Sequence, residues 1–584
     1  MARRTTLLFL AFCLVALTVA CMGPTGPQYD VLIRNGTIYD GAGRAPFVGD
    51  VGINGDRIVA VGPSEDASGL VEVDATGLAV APGFVNMLSW ATESLIIDGR
   101  SQSDIRQGVT LEVFGEGWSM GPLNDSMKAE MVEGWIATFG SAEAAAGAAG
   151  LELGPGGELE VPWTTLGEYL DFLEAKGVAP NISSFVGATT VRIHEIGYED
   201  RPPTPEELER MQALVRQAME EGAMGVGSSL IYAPAFYAGI DELIALNQIV
   251  ADTGGMYISH LRSEGNRLLE SVDELIRISR VAGVPAEIYH LKAGGESNWS
   301  KMDEVIAKVE AARDDRQRIT ADMYTYTAGS TGLDAAMPPW VQEGGYDAWA
   351  ERLKDPEIRA RVANEMTTPT DEWENLFLAA GASGTLLVGF QNPELRKYTG
   401  KTLAEVAIER GTNVAETAID LVIEDGTRVQ VVYFLMSEDN VRKQVALPWV
   451  SFASDAGSLA TEGVFLETST HPRAYGNFAR LLGRYVRDDG IVPLEEAIRK
   501  LSFFPATNLG IKERGLLEIN NFADVVVFDP ATITDHATFE EPHQYSTGML
   551  HVFVNGAQVL KDGEHTGATP GRVVRGLGWT GHQQ

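Results

Sequence analysis

Two histidines thirty residues apart, each closing a short apolar run, constrain this chain more than any other feature. His260 ends Met256-Tyr-Ile-Ser-His and His290 ends Ala286-Glu-Ile-Tyr-His, with a helix-patterned stretch from Leu268 to Arg280 between them. Short β-favouring runs flanking a segment of helical period read as one strand–helix–strand unit. A crossover of that kind puts both strand tips on the same edge of a parallel sheet or barrel. The carboxyl edge is where such folds build their sites. Two imidazoles there are either hydrogen-bonded strand ends or ligands of a shared metal ion. The same residue type at both tips favours the ligands.

The region 82–505 continues the alternation. Helical patterns cover Thr204 to Gly222 (Pro205, Glu206 and Glu207 at its start), Leu268 to Arg280, Met302 to Arg313 and Leu494 to Leu501. Strand patterns cover Val109 to Phe114, Met256 to Ser259, Ala286 to Tyr289, Arg318 to Met323 and Val429 to Phe434. This predicts an α/β fold, a (β/α)₈ TIM barrel. Two stretches break the pattern. Ala142 to Glu158 is rich in Ala and Gly and is expected to be a mobile loop. The segment from about 333 to 370, with Pro338-Pro339, is expected to be an inserted lid.

Both ends are written differently. Tyr29 to Asp40 and Asp50 to Gly62 alternate at period two, with Asn54-Gly55 where a type I′ hairpin turn belongs; Ala523 to Asp529 and His551 to Leu560 repeat the style, with Asn555-Gly556. Neither half can bury a core alone, so 29–81 and 506–570 are predicted to form one small composite β-sandwich.

The formal net charge of −36 argues against a nucleic-acid partner, which needs a basic surface. Arg3 and Arg4 precede an apolar stretch from Leu7 to Val19 that is short for a membrane span and is followed by Ala20-Cys21. Residues 1–21 therefore read as a lipoprotein-type signal peptide and 22–28 as a tether. The expectation is an exported bacterial protein, periplasmic or held at the outer membrane by lipidation of Cys21, with no other membrane contact. Cys13 and Cys21 are the only cysteines, so the mature body has no thiol for a disulfide, a zinc ligand or a nucleophile.

Taken together, Ala81-Pro-Gly-Phe, Arg106-Gln-Gly-Val-Thr, Ser259-His-Leu-Arg-Ser-Glu-Gly, Tyr289-His-Leu-Lys, Ala321-Asp-Met-Tyr-Thr-Tyr, Ala453-Ser-Asp, Thr470-His-Pro-Arg and Phe522-Ala-Asp-Val-Val-Val-Phe-Asp-Pro resemble the amidohydrolase superfamily. Within it they are similar to the N-acyl-D-amino-acid deacylases, the D-aminoacylases. The resemblance covers nearly all of the mature chain and implies a metal-bearing barrel plus a β-sandwich. One departure is plain. The superfamily carries His-x-His on the first strand, whereas Leu88 and Trp90 stand there in this chain and neither can ligate a metal. The resemblance then implies a single zinc, one per chain. Its ligands would be His260, His290 and, in place of the family's cysteine, Glu116 of Val113-Phe-Gly-Glu; Glu112 and Glu93 are the rival carboxylates.

The same resemblance makes Asp455 the catalytic proton shuttle and gives Arg473 the grip on a substrate carboxylate. It lines the substrate pocket with Tyr324 and Ser330; Lys292, directly beyond His290, is expected to support the oxyanion there, and His194 to be structural or peripheral. The implied reaction is zinc-dependent hydrolysis of a linear amide in a small molecule bearing a free carboxylate, an N-acyl-D-amino acid or a D-residue-containing peptide. Rivals within the superfamily are a dipeptidase and a cyclic-amide, hydantoinase-like hydrolase. Outside it, Gly117-Trp-Ser-Met-Gly matches a serine-hydrolase elbow, with Ser119 followed by Asp455 and His471. The elbow needs a helix directly after the serine, and Pro122 and Asn124-Asp125 delay one. A catalytically silent binding lipoprotein is the remaining alternative.

Overall fold

Residues 26–581 are described by a computed structural model. The expected signal segment, Cys21 included, lies outside them. Among the described residues no helix is long and apolar enough to cross a membrane.

The strands Phe84–Asn86, Val109–Phe114, Asn181–Ser184 (continued by Val186–Gly187), Gly225–Ser229, Met256–His260, Ala286–Ile288, Ile319–Met323 and Val450–Phe452 pair in parallel in that order. A parallel bridge from Ser89 to Ala456 joins the last to the first, which closes the predicted (β/α)₈ barrel. Each strand is buried on both faces, because helices cover the outside and side chains fill the inside. The covering helices follow from their patterns. Leu268–Ala282 buries Leu268, Val272, Leu275, Ile276 and Ile278 on one face. Pro205–Glu220 starts in a capping box between Thr204 and Glu207, and losing such a cap costs about 1 kcal/mol.

Strands from both ends share one sheet. Val525–Phe528 pairs antiparallel with Ala79–Pro82, which pairs with Gln28–Ile38, itself paired with Phe47–Asn54 and Ser68–Asp74. Alternation along Val525–Phe528 divides its work. Val525 and Val527 enter the sandwich core with Ile33, Val51 and Phe553, while Val526 and Phe528 join the barrel's core. That is how the small domain is fastened to the large one.

Several local expectations need correction. The first hairpin turns on Gly55 and Asp56, one residue later than read, because Asn54 is still paired with Arg57. The second does turn on Asn555 and Gly556, both at positive φ. Ala142 to Glu158 is not all loop: Ala142–Ala149 is a helix capped by Ser141, with Ala145, Ala146 and Ala149 buried. Alanine's helix propensity outweighs the glycines there. Val429 to Phe434 supplies no barrel strand. Gln430–Tyr433 forms an antiparallel sheet with Gly329–Gly332 and Thr385–Gly389 outside the barrel. The inserted region therefore does not stop near 370, and this sheet belongs to it.

Candidate metal centre

The carboxyl ends of the barrel strands meet at a cavity of about 330 Å³. Glu116 reaches it from Gly115-Glu-Gly117, directly beyond Val109–Phe114. Both glycines adopt left-handed φ, +107° and +72°. A Cβ on them would come within 2.4 Å of the Phe185 carbonyl oxygen and 2.2 Å of Ser229 Oγ, so only glycine lets the chain swing Glu116 over the barrel mouth. His260 ends its strand, and His290 follows Ala286–Ile288 at φ +33°. Asp455 follows Val450–Phe452 at φ +50°. Such backbones cost an L residue on the order of 1–3 kcal/mol. Here they are held by His290 N donating to Asp322 Oδ1 at 2.7 Å and Asp455 N donating to the Leu88 carbonyl at 2.9 Å.

Glu116, His260 and His290, all buried, are brought together. Oε1 of Glu116 lies 3.0 Å from Nδ1 of His260 and 2.8 Å from Nε2 of His290, and the three ligand atoms lie within 4.8 Å of one another. Donors about 2.0–2.2 Å from one tetrahedral ion sit roughly 3.3 Å apart, so the spacing fits a shared cation. Two further observations agree. Glu264 backs both rings, with Oε1 3.1 Å from His290 Nδ1 and Oε2 3.5 Å from His260 Nε2. His260 Nε2 is buried and otherwise without a hydrogen bond. Glu264 and Lys292, whose Nζ lies 2.7 Å from His290 Nδ1, together back the rings on the side away from Glu116.

The electrostatics also fit a cation. Burial pushes the Glu116 carboxyl up, but His290 and His260 outweigh it and hold the group well below the usual carboxylate range. Burial and Lys292 lower His290, yet Glu264, Glu116 and Asp455 lift it to about 10. Three carboxylates converging on one imidazole mark a position that favours positive charge, which a metal ion can supply. The rival carboxylates are occupied elsewhere. Glu112 accepts hydrogen bonds from Ser89 and Ser101, and Glu93 accepts one from Trp135.

Asp455 faces the same cavity. Its Oδ1 accepts from Trp90 Nε1 at 3.1 Å, and Oδ2 lies 2.8 Å from Arg473 Nη1. Burial raises its pKa against the pull of Arg473 and His290, which makes it a better proton acceptor. Arg473 is 3% exposed, and its Nε and Nη1 form no directed hydrogen bond. With Nη1 paired to Asp455, Nε is the donor left over, so the buried guanidinium can still take an anion.

Tyr324, Ser330 and Lys292 also line the cavity. Tyr324 presents a buried hydroxyl without a partner. Ser330 has its Oγ committed to the Val431 carbonyl, and its own carbonyl accepts from Arg473. Lys292 pairs with Glu264 at 2.7 Å, and its Nζ also lies 2.7 Å from His290 Nδ1. The insert supplies Leu376, Arg428, Tyr433 and Leu435 to the wall. His194 sits on the helix Ala188–Ile196, away from the cavity, beside Glu195.

The serine-hydrolase arrangement does not assemble. Ser119 Oγ donates to the Gly121 carbonyl and accepts from Gly187 N, and the next helix starts only at Asp125. His471 is held by the Ala328 carbonyl and by Arg473 N. Sequence reading missed two residues of the centre. Glu264 was legible only as part of the motif around His260, and Trp90 only as a residue that cannot ligate.

The profile of the amidohydrolase family matches residues 123–560. The D-aminoacylase of Alcaligenes xylosoxydans xylosoxydans is 32% identical over 547 residues, which are 94% of this chain and 97% of that protein. The zinc and phosphonate complex of N-acyl-D-glutamate deacylase from Bordetella bronchiseptica superposes with TM-score 0.75 at 27% identity, covering 94% of this chain and 100% of that one. A D-aminoacylase structure described in terms of a binuclear metal centre, with one-metal activation and second-metal attenuation, superposes with TM-score 0.74 at 30% identity and the same coverage.

Proposed function

Since this chain belongs to the amidohydrolase family and is a metal-dependent hydrolase of amide bonds, we propose that it deacylates N-acyl-D-amino acids or cleaves peptides next to a D-residue. The observation that carries the reading is the buried Glu116–His260–His290 cluster opening into the cavity that also holds Arg473. The similarity to enzymes that act on N-acyl-D-amino acids supports the substrate class.

Zinc held by those three residues would supply Lewis acidity to the amide carbonyl and acidify the attacking water. The chain's own residues do the rest. Arg473 binds the substrate carboxylate, starting from the Nε that its pairing with Asp455 leaves over, and so sets the amide over the cluster. Asp455 accepts the proton of the attacking water and returns it to the amine nitrogen as the C–N bond breaks. Tyr324 packs beside the substrate between Arg473 and Lys292, whose cations lie 4.5 Å and 5.6 Å from its ring centre. The insert closes the outer wall and limits water. Export with a lipid on Cys21 is part of the same proposal and rests on the Arg3-Arg4, apolar stretch and Ala20-Cys21 pattern.

The deciding experiment is a screen of zinc-loaded protein against matched D- and L-N-acetyl amino acids and dipeptides. Preferential release of D-amino acids, abolished by chelation and restored by metal, is expected. Turnover of L-forms or cyclic amides alone would refute the substrate assignment.

A further inference from the structure

We propose that Trp90 fills the seat a second metal ion would need, and that its indole N–H instead ties the proton-shuttling Asp455 to the metal-binding Glu116, so that the centre takes one cation only. The inference rests on the metal-centre reading of Glu116, His260 and His290.

Trp90 Nε1 donates to two carboxylates at once, Glu116 Oε2 at 3.1 Å and Asp455 Oδ1 at 3.1 Å. The ring is held there by its own backbone. Trp90 N donates to the Ala456 carbonyl at 3.0 Å, and Asp455 N donates to the Leu88 carbonyl, so the extensions of the first and last barrel strands are stitched across the site. A second ion bridging these carboxylates would need the Glu116 oxygen that the indole occupies. The first-strand positions facing it, which could add donors, are Trp90 and Leu88. An indole offers a hydrogen and no lone pair. Leu88 is fully buried in an apolar cluster with Val85, Met87 and Ile258. Neither can replace a lost water shell around a cation.

The carboxylate oxygens divide accordingly. Glu116 turns Oε1 to the imidazoles and Oε2 to the indole, while Asp455 turns Oδ1 to the indole and Oδ2 to Arg473. Both oxygens of the shuttle are thereby oriented with no second ion to hold them. Trp90 is a positioning residue in this scheme. It brings one donor to a place where two negative groups meet, and charge-assisted hydrogen bonds of that kind are the strong ones.

The test is metal uptake by chelator-stripped protein, followed by calorimetry and by metal analysis after gel filtration from tenfold excess zinc. The full-length protein should saturate at one equivalent. Uptake of two equivalents overturns the proposal, and no uptake takes down the metal-centre reading with it. The paired substitution Leu88→His with Trp90→His should saturate at two; a folded double variant that still takes one refutes the seat assignment. Trp90→Phe keeps an aromatic side chain of smaller size and removes the donor. It should hold one equivalent with KM unchanged and kcat lowered about tenfold or more. An unchanged kcat, or a loss confined to KM, overturns the positioning role.

Discussion

Glu264 stands directly behind His290, Oε1 to Nδ1 at 3.1 Å, on the side of the ring opposite Glu116. Lys292 Nζ lies 2.7 Å from the same Nδ1, so the two groups hold the ring from behind and leave Nε2 facing Glu116, the nitrogen proposed for the cation. Glu264→Gln should weaken zinc binding about 10–100-fold, the usual effect of removing a carboxylate behind a ligating histidine. It also strands the buried Lys292, which should lower thermal stability. Glu264→Gln with Lys292→Met should recover stability and leave zinc affinity low. Equal affinity for zinc in the native and Glu264→Gln proteins, by competition with a chelator, would contradict the orienting role.

Asp455→Asn preserves size and the contact with Trp90 but removes the proposed proton acceptor. Zinc content should stay at the native level while kcat falls about 10²–10⁴-fold. Retained turnover in the metal-loaded variant would remove Asp455 from the mechanism.

Ser119 separates two chemistries. Its hydroxyl is buried and makes two hydrogen bonds that brace the loop after Glu116. Ser119→Ala should cost about 1–3 kcal/mol of stability and leave kcat where it was. A collapse of kcat in a folded, zinc-replete variant would revive the serine nucleophile.

Lys500 gives a stability test remote from the site. It is fully buried, donates to the Val445 carbonyl at 2.6 Å and lies 5.1 Å over the Phe452 ring. Burial lowers its pKa to about 7, against the pull of Glu496. A depressed pKa means the unfolded chain holds the extra proton. The stability tied to the neutral amine is full above the ordinary lysine value of 10.5 and is lost as pH falls towards about 7. Lys500→Met should therefore unfold at a higher temperature than the native protein near pH 7, and the gap should shrink by pH 10. A gap independent of pH would show that the amine is not desolvated.

Much of this was legible in the order of residues. The barrel shows through because strands buried on both faces, such as Val109–Phe114, and one-sided helices, such as Leu268–Ala282, have different periods. Two of the clustered side chains show through because a histidine at each of two successive strand tips has few other reasons to be there. The antiparallel insert does not. Gln430–Tyr433 is as apolar as a barrel strand, and only its partners, Gly329–Gly332 and Thr385–Gly389, reveal where it lies. Glu264 and Trp90 escape for a related reason. An acid four residues past a histidine, or a tryptophan where histidine is customary, acquires its task only when distant strands converge.

The shared sheet has a further consequence during synthesis. Ala79–Pro82 waits for Val525–Phe528, a partner about 440 residues downstream. At 5–20 residues per second that interval is roughly 20–90 s, during which a hydrophobic edge has no mate and can capture a neighbouring nascent chain. That edge of the sheet is completed only when the far end of the chain arrives.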